Sequence, residues 1–240
     1  MRRETLHRLH AMATSKTRTI EFEPKYITFD CYGTLTDFNM SRMAREVYSD
    51  RLSGAELDRF VSLFAGYRVD EVLGPYKPYR DVILNSLSRT CARTKVAYDA
   101  AEAERFYAAI PSWGPHADVP GGLARLATKY KLVILSNAAD DQIWRNVEKL
   151  GAPFHRVFTA QQARSYKPRM QGFEYMFEQL GCGPEDVLHV SSSLRYDLMT
   201  AESMGIGCKV FVKRGHEPST PEYNYYEVDG IGQLADMLGL

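Results

Sequence analysis

Lys25-Tyr26-Ile27-Thr28-Phe29-Asp30-Cys31-Tyr32-Gly33-Thr34-Leu35 is the stretch on which the fold turns. Residues 25–30 are apolar and partly β-branched, they end in a carboxylate, and turn-prone Tyr-Gly-Thr follows. A short apolar run closed by turn residues reads as a strand running into a loop. Burying a carboxylate at the end of such a run is costly unless it is paired or hydrogen-bonded. Asp30 therefore marks a place where polar partners are expected. Further short strands are expected at 131–136 (KLVILS), 156–159 (RVFT), 186–191 (DVLHVS) and 208–212 (CKVFV). A helix near 122–129 and amphipathic stretches at about 141–150, 169–180 and 197–204 alternate with them. Strands alternating with helices in this way give an α/β fold with a parallel, doubly wound sheet.

Between residues 41 and 109 no comparable strand occurs. Leu57, Phe60, Val61 and Phe64 recur at helical spacing, as do Val82, Ile83 and Leu87. Residues 111–122, dense in Pro and Gly, read as a linker. The chain thus divides into an N-terminal extension (1–24, expected to be mobile), an α/β core (25–40 and 116–240) and an inserted helical cap (41–115) after the first strand. In open α/β sheets ligands bind outside the strand carboxyl ends. An insertion at that place would cover the site, exclude water and shape specificity.

Composition narrows the class. The chain has 240 residues, 45% hydrophobic and 25% charged, with 30 Lys plus Arg against 30 Asp plus Glu. That is a globular composition, and its charge balance carries no footprint for nucleic acid or an anionic membrane. Four cysteines, Cys31, Cys91, Cys182 and Cys208, lie singly without a CxxC pair. This argues against a zinc site or a disulfide framework and for a reducing, cytoplasmic setting. No apolar run approaches the roughly 18 residues of a membrane span, and the start has no apolar signal region.

Polar residues recur where the expected strands end: Asp30, then Ser136-Asn137, Lys167 in SYKP, and Ser191-Ser192-Ser193 followed by Asp197. Each alone has a bland reading, as a turn aspartate, a helix-capping serine or a solvated lysine. Together, at one edge of a sheet, they compose a site. Cys31 should point to the opposite face from Asp30 and has no His partner, which speaks against a thiol nucleophile.

These residues resemble the four motifs of the haloacid dehalogenase superfamily: Asp30-Cys31-Tyr32-Gly33-Thr34-Leu35 its DxxGTL, Ser136 the second, Lys167-Pro168 the third, and Ser191 to Asp197 the fourth. The resemblance covers nearly all of 25–240 and implies a Rossmann-like core. Phosphatases of that superfamily carry a second acid two residues after the first and an acidic pair in the fourth motif. Here Tyr32 and Ser192 stand in those places. Mg²⁺ prefers carboxylate oxygens, so the pattern implies no metal and no cofactor. A departing halide needs no proton, only hydrogen bonds. The set accordingly resembles the 2-haloacid dehalogenase branch.

That resemblance implies a residue-by-residue assignment. Asp30 would attack C2 of a small 2-haloalkanoic acid to form an ester, later hydrolysed to a 2-hydroxy acid. Lys167 would hold Asp30 ionised and in place, and Asp197 would orient the hydrolytic water. Ser136 would bind the substrate carboxylate, Asn137 would donate to the departing halide, and Tyr32, Ser192 and Ser193 would line the pocket. Arg68, in FAGYR, would be the cap arginine that captures the halide. A homodimer is expected on the same ground. The stretch SSSLRYD at 191–197 is one residue longer than the branch's form. Other readings left open are a C2-substituted or strained-ring acid as substrate, a phosphatase on a small phosphomonoester, and a catalytically idle binding protein. Tyr67, Tyr76, Tyr79 and Trp113 are candidate pocket walls or plain packing residues, and the tail from His216 to Gly230 reads as a surface loop or a pocket or dimer edge.

Overall fold

The computed structural model describes residues 19–240. Ile20 is buried and its N–H bonds to Met237 O at 2.8 Å. The expected N-terminal extension falls, for residues 1–18, outside the described residues.

Six parallel strands form one sheet in the order β3-β2-β1-β4-β5-β6. They are β1 (Tyr26–Phe29), β2 (Lys131–Ser136), β3 (Arg156–Thr159), β4 (Val187–Ser191), β5 (Cys208–Val212) and β6 (Tyr226–Val228). Every residue of β1, β4 and β5 is buried, as expected of strands covered on both faces. Ile27, Phe29, Leu132, Ile134 and Val190 point to one face, under α5 (Val119–Leu126), α6 (Asp140–Val147) and α10 (Ile231–Met237). Tyr26, Val133 and Leu135 point to the other, under α8 (Met170–Leu180) and α9 (Met199–Ser203). This two-residue alternation is what a sheet packed on both sides requires.

The chain leaves β1 for β2 and β3 on one side and returns through β4, β5 and β6 on the other. The order therefore reverses between β1 and β4, and their carboxyl ends open a crevice there. Asp30 stands in it, its N–H bonded to Val190 O at 3.0 Å.

Ahead of α5, four helices follow β1: α1 (Met40–Tyr48), α2 (Gly54–Leu73), α3 (Tyr79–Thr94) and α4 (Ala100–Ala109). They pack on their own aromatic centre, with ring centroids of Tyr48 and Phe60 at 4.1 Å and of Phe64 and Phe106 at 5.6 Å. Ala139, Ala160 and Tyr166 at the sheet's edge join that cluster, so the helices rest on the crevice.

Several boundaries differ from the sequence reading. The linker is shorter: α5 starts at Val119, not near 122, with Pro120 at a first-turn position where its missing N–H is tolerated. Gly122 is then helical because α5 crosses α10 closely. Much of the tail is not loop. Residues 226–228 extend the sheet as β6, and α10 follows. Among the described residues no helix is long and apolar enough to cross a membrane.

The α5–α10 crossing makes a test. A Cβ on Gly122 would lie 2.6 Å from the Ile231 carbonyl carbon and 2.7 Å from Gly232 N, whereas one on Gly121 meets nothing within 4 Å. Gly122→Ala should lose about 1–3 kcal/mol by overpacking. Gly121→Ala should be neutral or gain up to about 1 kcal/mol from helix propensity. Urea unfolding of the two variants checks both signs.

Candidate active site

The site is organised around one ammonium group. Lys167 Nζ lies 2.8 Å from Asp30 Oδ1, 2.7 Å from Asp197 Oδ1 and 2.8 Å from Leu135 O. All three N–H donors of the lysine are used, and its side chain is 2% exposed. Its backbone is fixed as well. Asn137 Oδ1 accepts from Lys167 N at 2.8 Å, and Asn137 Nδ2 donates to Lys167 O at 2.9 Å. The ends of β1 and β2, the 165–168 loop and the turn carrying Asp197 are thereby tied together.

Asp30 is held on its second oxygen by Thr34, whose hydroxyl donates to Oδ2 at 2.7 Å. Thr34 Oγ1 also lies 3.1 Å from Ser192 Oγ and accepts from Ser192 N at 2.8 Å. The turn between Asp30 and Thr34 needs Gly33, whose φ of +95° disfavours any side chain. Behind it, Asp118 grips Arg214 in a bidentate pair at 2.7 and 3.0 Å, and Arg214 Nε donates to Thr34 O at 3.1 Å.

One cation between two carboxylates sets their acidities apart. Burial raises the Asp30 carboxyl above the usual range, and the charge of Asp197 adds to this, while Lys167 and Thr34 only partly offset it. For Asp197 burial also pushes up, but Lys167 and a hydrogen bond from His189 outweigh it and hold the group low. Burial opposes the charge of Lys167, and the two carboxylates more than restore it. Lys167 pulls Asp30 toward its ionised form, against the larger opposing effect of burial.

Above this cluster lies a cavity of about 300 Å³. Its wall includes Asp30, Tyr32, Asn137, Lys167, Ser192, Ser193 and Arg68, which the structure therefore brings together. Ser136 and Asp197 are not on that wall: both are buried, and among the described residues Ser136 Oγ and Asp197 Oδ2 have no hydrogen-bond partner. Tyr32 presents its ring, stacked on Phe38 at 5.2 Å, and directs its hydroxyl to Asn146 Oδ1 at 3.1 Å. Ser193 turns its hydroxyl to Glu217 at 2.9 Å. Of the candidate aromatic walls only Tyr79 reaches the cavity. Tyr67 packs on Arg89, Tyr76 on Tyr166, and Trp113 on Phe38.

Arg68, on α2, puts its guanidinium 5.0 Å from the Phe64 ring and 5.7 Å from the Phe38 ring. Among the described residues it forms no ion pair, and its buried Nε has no partner. A guanidinium that faces a cavity beside aromatic rings, with no ion-pair partner among the described residues, can receive an anion. Cys31 is buried on the opposite face from Asp30, and burial pushes its thiol up to about 12. Among the described residues no group of three or more His, Cys, Asp or Glu side chains is placed to hold a metal ion.

Thr34, His189, His216 and Glu217 were not singled out from the sequence. Thr34 lay inside a quoted motif, where its hydroxyl four residues after Asp30 was the available signal. The other three reach the site only through tertiary structure.

The family model of the haloacid dehalogenase-like hydrolases matches residues 24–205. This chain belongs to that family. It is 29% identical over 185 residues to haloacetate dehalogenase H-2 of Moraxella sp. (strain B), covering 75% of this chain and 81% of that one. It is 27% identical over 188 residues to the (S)-2-haloacid dehalogenase of Xanthobacter autotrophicus, covering 75% and 72%. The crystal structure of the L-2-haloacid dehalogenase from Xanthobacter autotrophicus with chloropropionic acid covalently bound superposes with a TM-score of 0.74, at 22% identity, over 90% of this chain and 99% of that one. The hydrolase's strand order and its crevice at the β1–β4 switch point are thus a fold shared with a dehalogenase.

The acidities predict opposite stability effects within the cluster. Asp30→Asn removes a carboxylate whose burial outweighs its pairing, so the melting temperature at pH 7 should rise by a few degrees. Because the folded-state carboxyl titrates above the ordinary 3.8, this gain should fade as pH falls through that raised value. Lys167→Met leaves two buried carboxylates without their cation and should lose about 3–5 kcal/mol. Thermal melts at pH 7 and pH 4 decide both.

Proposed function

We propose that this hydrolase displaces halide from C2 of a small 2-haloalkanoic acid through an ester on Asp30. The observation that carries the reading is Tyr32. It stands where a phosphoryl-transferring relative would place an acid for its leaving group, and its hydroxyl is engaged by Asn146. A leaving group that needs a proton finds no donor there, whereas a halide needs none.

In the first step an Asp30 oxygen attacks C2, the carbon–halogen bonding pair leaves with the halide, and C2 inverts. Arg68 receives the halide anion, and the second amide proton of Asn137 adds a donor. Arg68 and the charge of Lys167 draw the anionic substrate in, and Ser192 contributes a hydroxyl to the wall. In the second step water adds to the Asp30 carbonyl carbon and the acyl C–O bond breaks, releasing the 2-hydroxy acid. One proton of the water passes to the departing alkoxide, and the other leaves to solvent as Asp30 ionises again. Asp197 orients that water through Oδ2, the oxygen no protein group occupies. Splitting one displacement into two is nucleophilic catalysis. Helices α1–α4 act as the cap that closes over the site. The relatives named haloacetate and (S)-2-haloacid dehalogenase support this reading.

The cavity has room beyond chloroacetate. Ala65, Val69 and Val72 of α2 and Val82 of α3 give it an apolar side, and each added methylene buried there is worth about 0.8 kcal/mol. With EDTA present, purified protein should release halide from chloroacetate and from one enantiomer of 2-chloropropionate. The value of kcat/KM should then rise up to about fourfold per methylene through 2-chlorobutyrate. Asp30→Asn should lose turnover by at least about 10³-fold. Phosphate release from p-nitrophenyl phosphate that depends on Mg²⁺, with no halide release, would overturn the reading.

A further inference from the structure

The cluster continues below the cavity through a residue the proposed reaction does not use. Thr28 of β1 and His189 of β4 are paired in register. Their side chains lie on the α8 face of the sheet, both fully buried, and neither is on the cavity wall. His189 Nδ1 is 2.8 Å from Thr28 Oγ1, and His189 Nε2 is 3.0 Å from Asp197 Oδ1. The Phe173 ring meets the imidazole edge-on at 5.1 Å. A carboxylate only accepts, so Nε2 carries the proton, and the Thr28 hydroxyl donates to Nδ1. Both ring nitrogens are satisfied in a place where an unsatisfied one would be costly.

The arrangement acts on one oxygen of Asp197. Lys167 and His189 both donate to Oδ1. Oδ2 is buried and accepts nothing. With the lysine alone, the carboxylate could turn and offer both oxygens to the same ammonium. The second donor, fixed to the sheet through Thr28, defines which oxygen the lysine holds and where the other points.

We infer that His189, braced by Thr28, is a positioning residue that aims Asp197 Oδ2 at the water that hydrolyses the Asp30 ester. This rests on the ester reading above and goes beyond it, because it assigns His189 to the second step alone. Asp30's attack on C2 uses Lys167 and Arg68, which His189 does not touch. A misplacement of about 1 Å in a group that orients a reactant costs on the order of 10²-fold.

The test separates the two steps. His189→Phe keeps a ring against Phe173 but has no N–H. His189→Gln retains an amide donor toward Asp197. Thr28→Val removes the brace and leaves the histidine. Halide release in the first turnover is followed by rapid quench, steady-state turnover is measured alongside, and intact-protein mass detects the substrate adduct. His189→Phe should show a full burst of one halide per subunit at the wild-type rate. Steady turnover should then fall about 10²-fold, with the adduct accumulating. His189→Gln should stay within about tenfold of wild type, and Thr28→Val should shift the same way as His189→Phe by a smaller factor. If His189→Phe does not fold, Thr28→Val carries the decision: wild-type partition between burst and steady state overturns the inference. Unchanged turnover in a folded His189→Phe overturns it, as does equal slowing of both steps. A wild-type single turnover in heavy-oxygen water that leaves no label in the Asp30 carboxylate overturns the ester reading itself, and this inference with it.

Discussion

The ammonium of Lys167 is the constraint on which the rest of the site depends. It donates to a residue after β1, to the backbone of β2 and to a carboxylate in the turn after β4. No donor remains to be shared with solvent or substrate. Three loop regions that diverge in sequence therefore meet at one atom, and their separations are set by hydrogen-bond lengths. The parallel sheet makes this meeting cheap. Strands in register deliver their carboxyl ends to one edge, where one side chain meets groups from β2, from the residue after β1 and from the turn after β4.

The same constraint creates a conflict between stability and chemistry. One cation cannot neutralise two buried carboxylates, so the cluster keeps a net negative charge when all three groups are ionised. Asp197, donated to by Lys167 and His189, is held low, and Asp30 bears the penalty of burial. A carboxylate that is under-compensated is a better nucleophile than one fully solvated by donors. The strain resides in the group that faces the cavity, whose wall also carries Arg68. Substitution at Asp30 is accordingly where gain in stability and loss of activity should coincide.

Much of this was legible in the sequence because it is local. Apolar runs at 131–136, 156–159 and 208–212 coincide with β2, β3 and β5, since a strand buried on both faces leaves an uninterrupted apolar signature. Asp30, Asn137 and Ser192 reveal themselves as polar residues at strand ends, whereas Lys167, expected at a strand end too, lies beyond β3 in the loop after the short helix α7 (Ala160–Ala163). What escaped depends on distant partners. β6 is a three-residue strand of mixed burial, too short and too polar to show a pattern, and it exists because β5 offers an edge. His189 sits inside an apolar strand and reads as a core residue until Thr28 and Asp197 are seen beside it. Ser136 looked like a cavity residue because it ends a strand, yet the following Asn137 takes the exposed position.

The longer fourth motif shows how a local departure is absorbed without disturbing the chemistry. Residues 194–198 form a π-helical turn. Its five-residue bonds run from Leu198 N to Ser193 O at 3.2 Å and from Met199 N to Leu194 O. A π turn accommodates one more residue than an α turn, and Asp197 on it reaches Lys167. Such a turn leaves backbone donors at its start, and the tail supplies their partner. Glu217 accepts from Leu194 N at 2.9 Å, Arg195 N at 3.2 Å and the Ser193 hydroxyl. Ser193 is therefore engaged in supporting the turn, and its nearness to the cavity is a consequence of that task. The tail from His216 onward, read in sequence as a surface loop or a pocket or dimer edge, lines the cavity with His216 and Glu217 and supports the turn that carries Asp197.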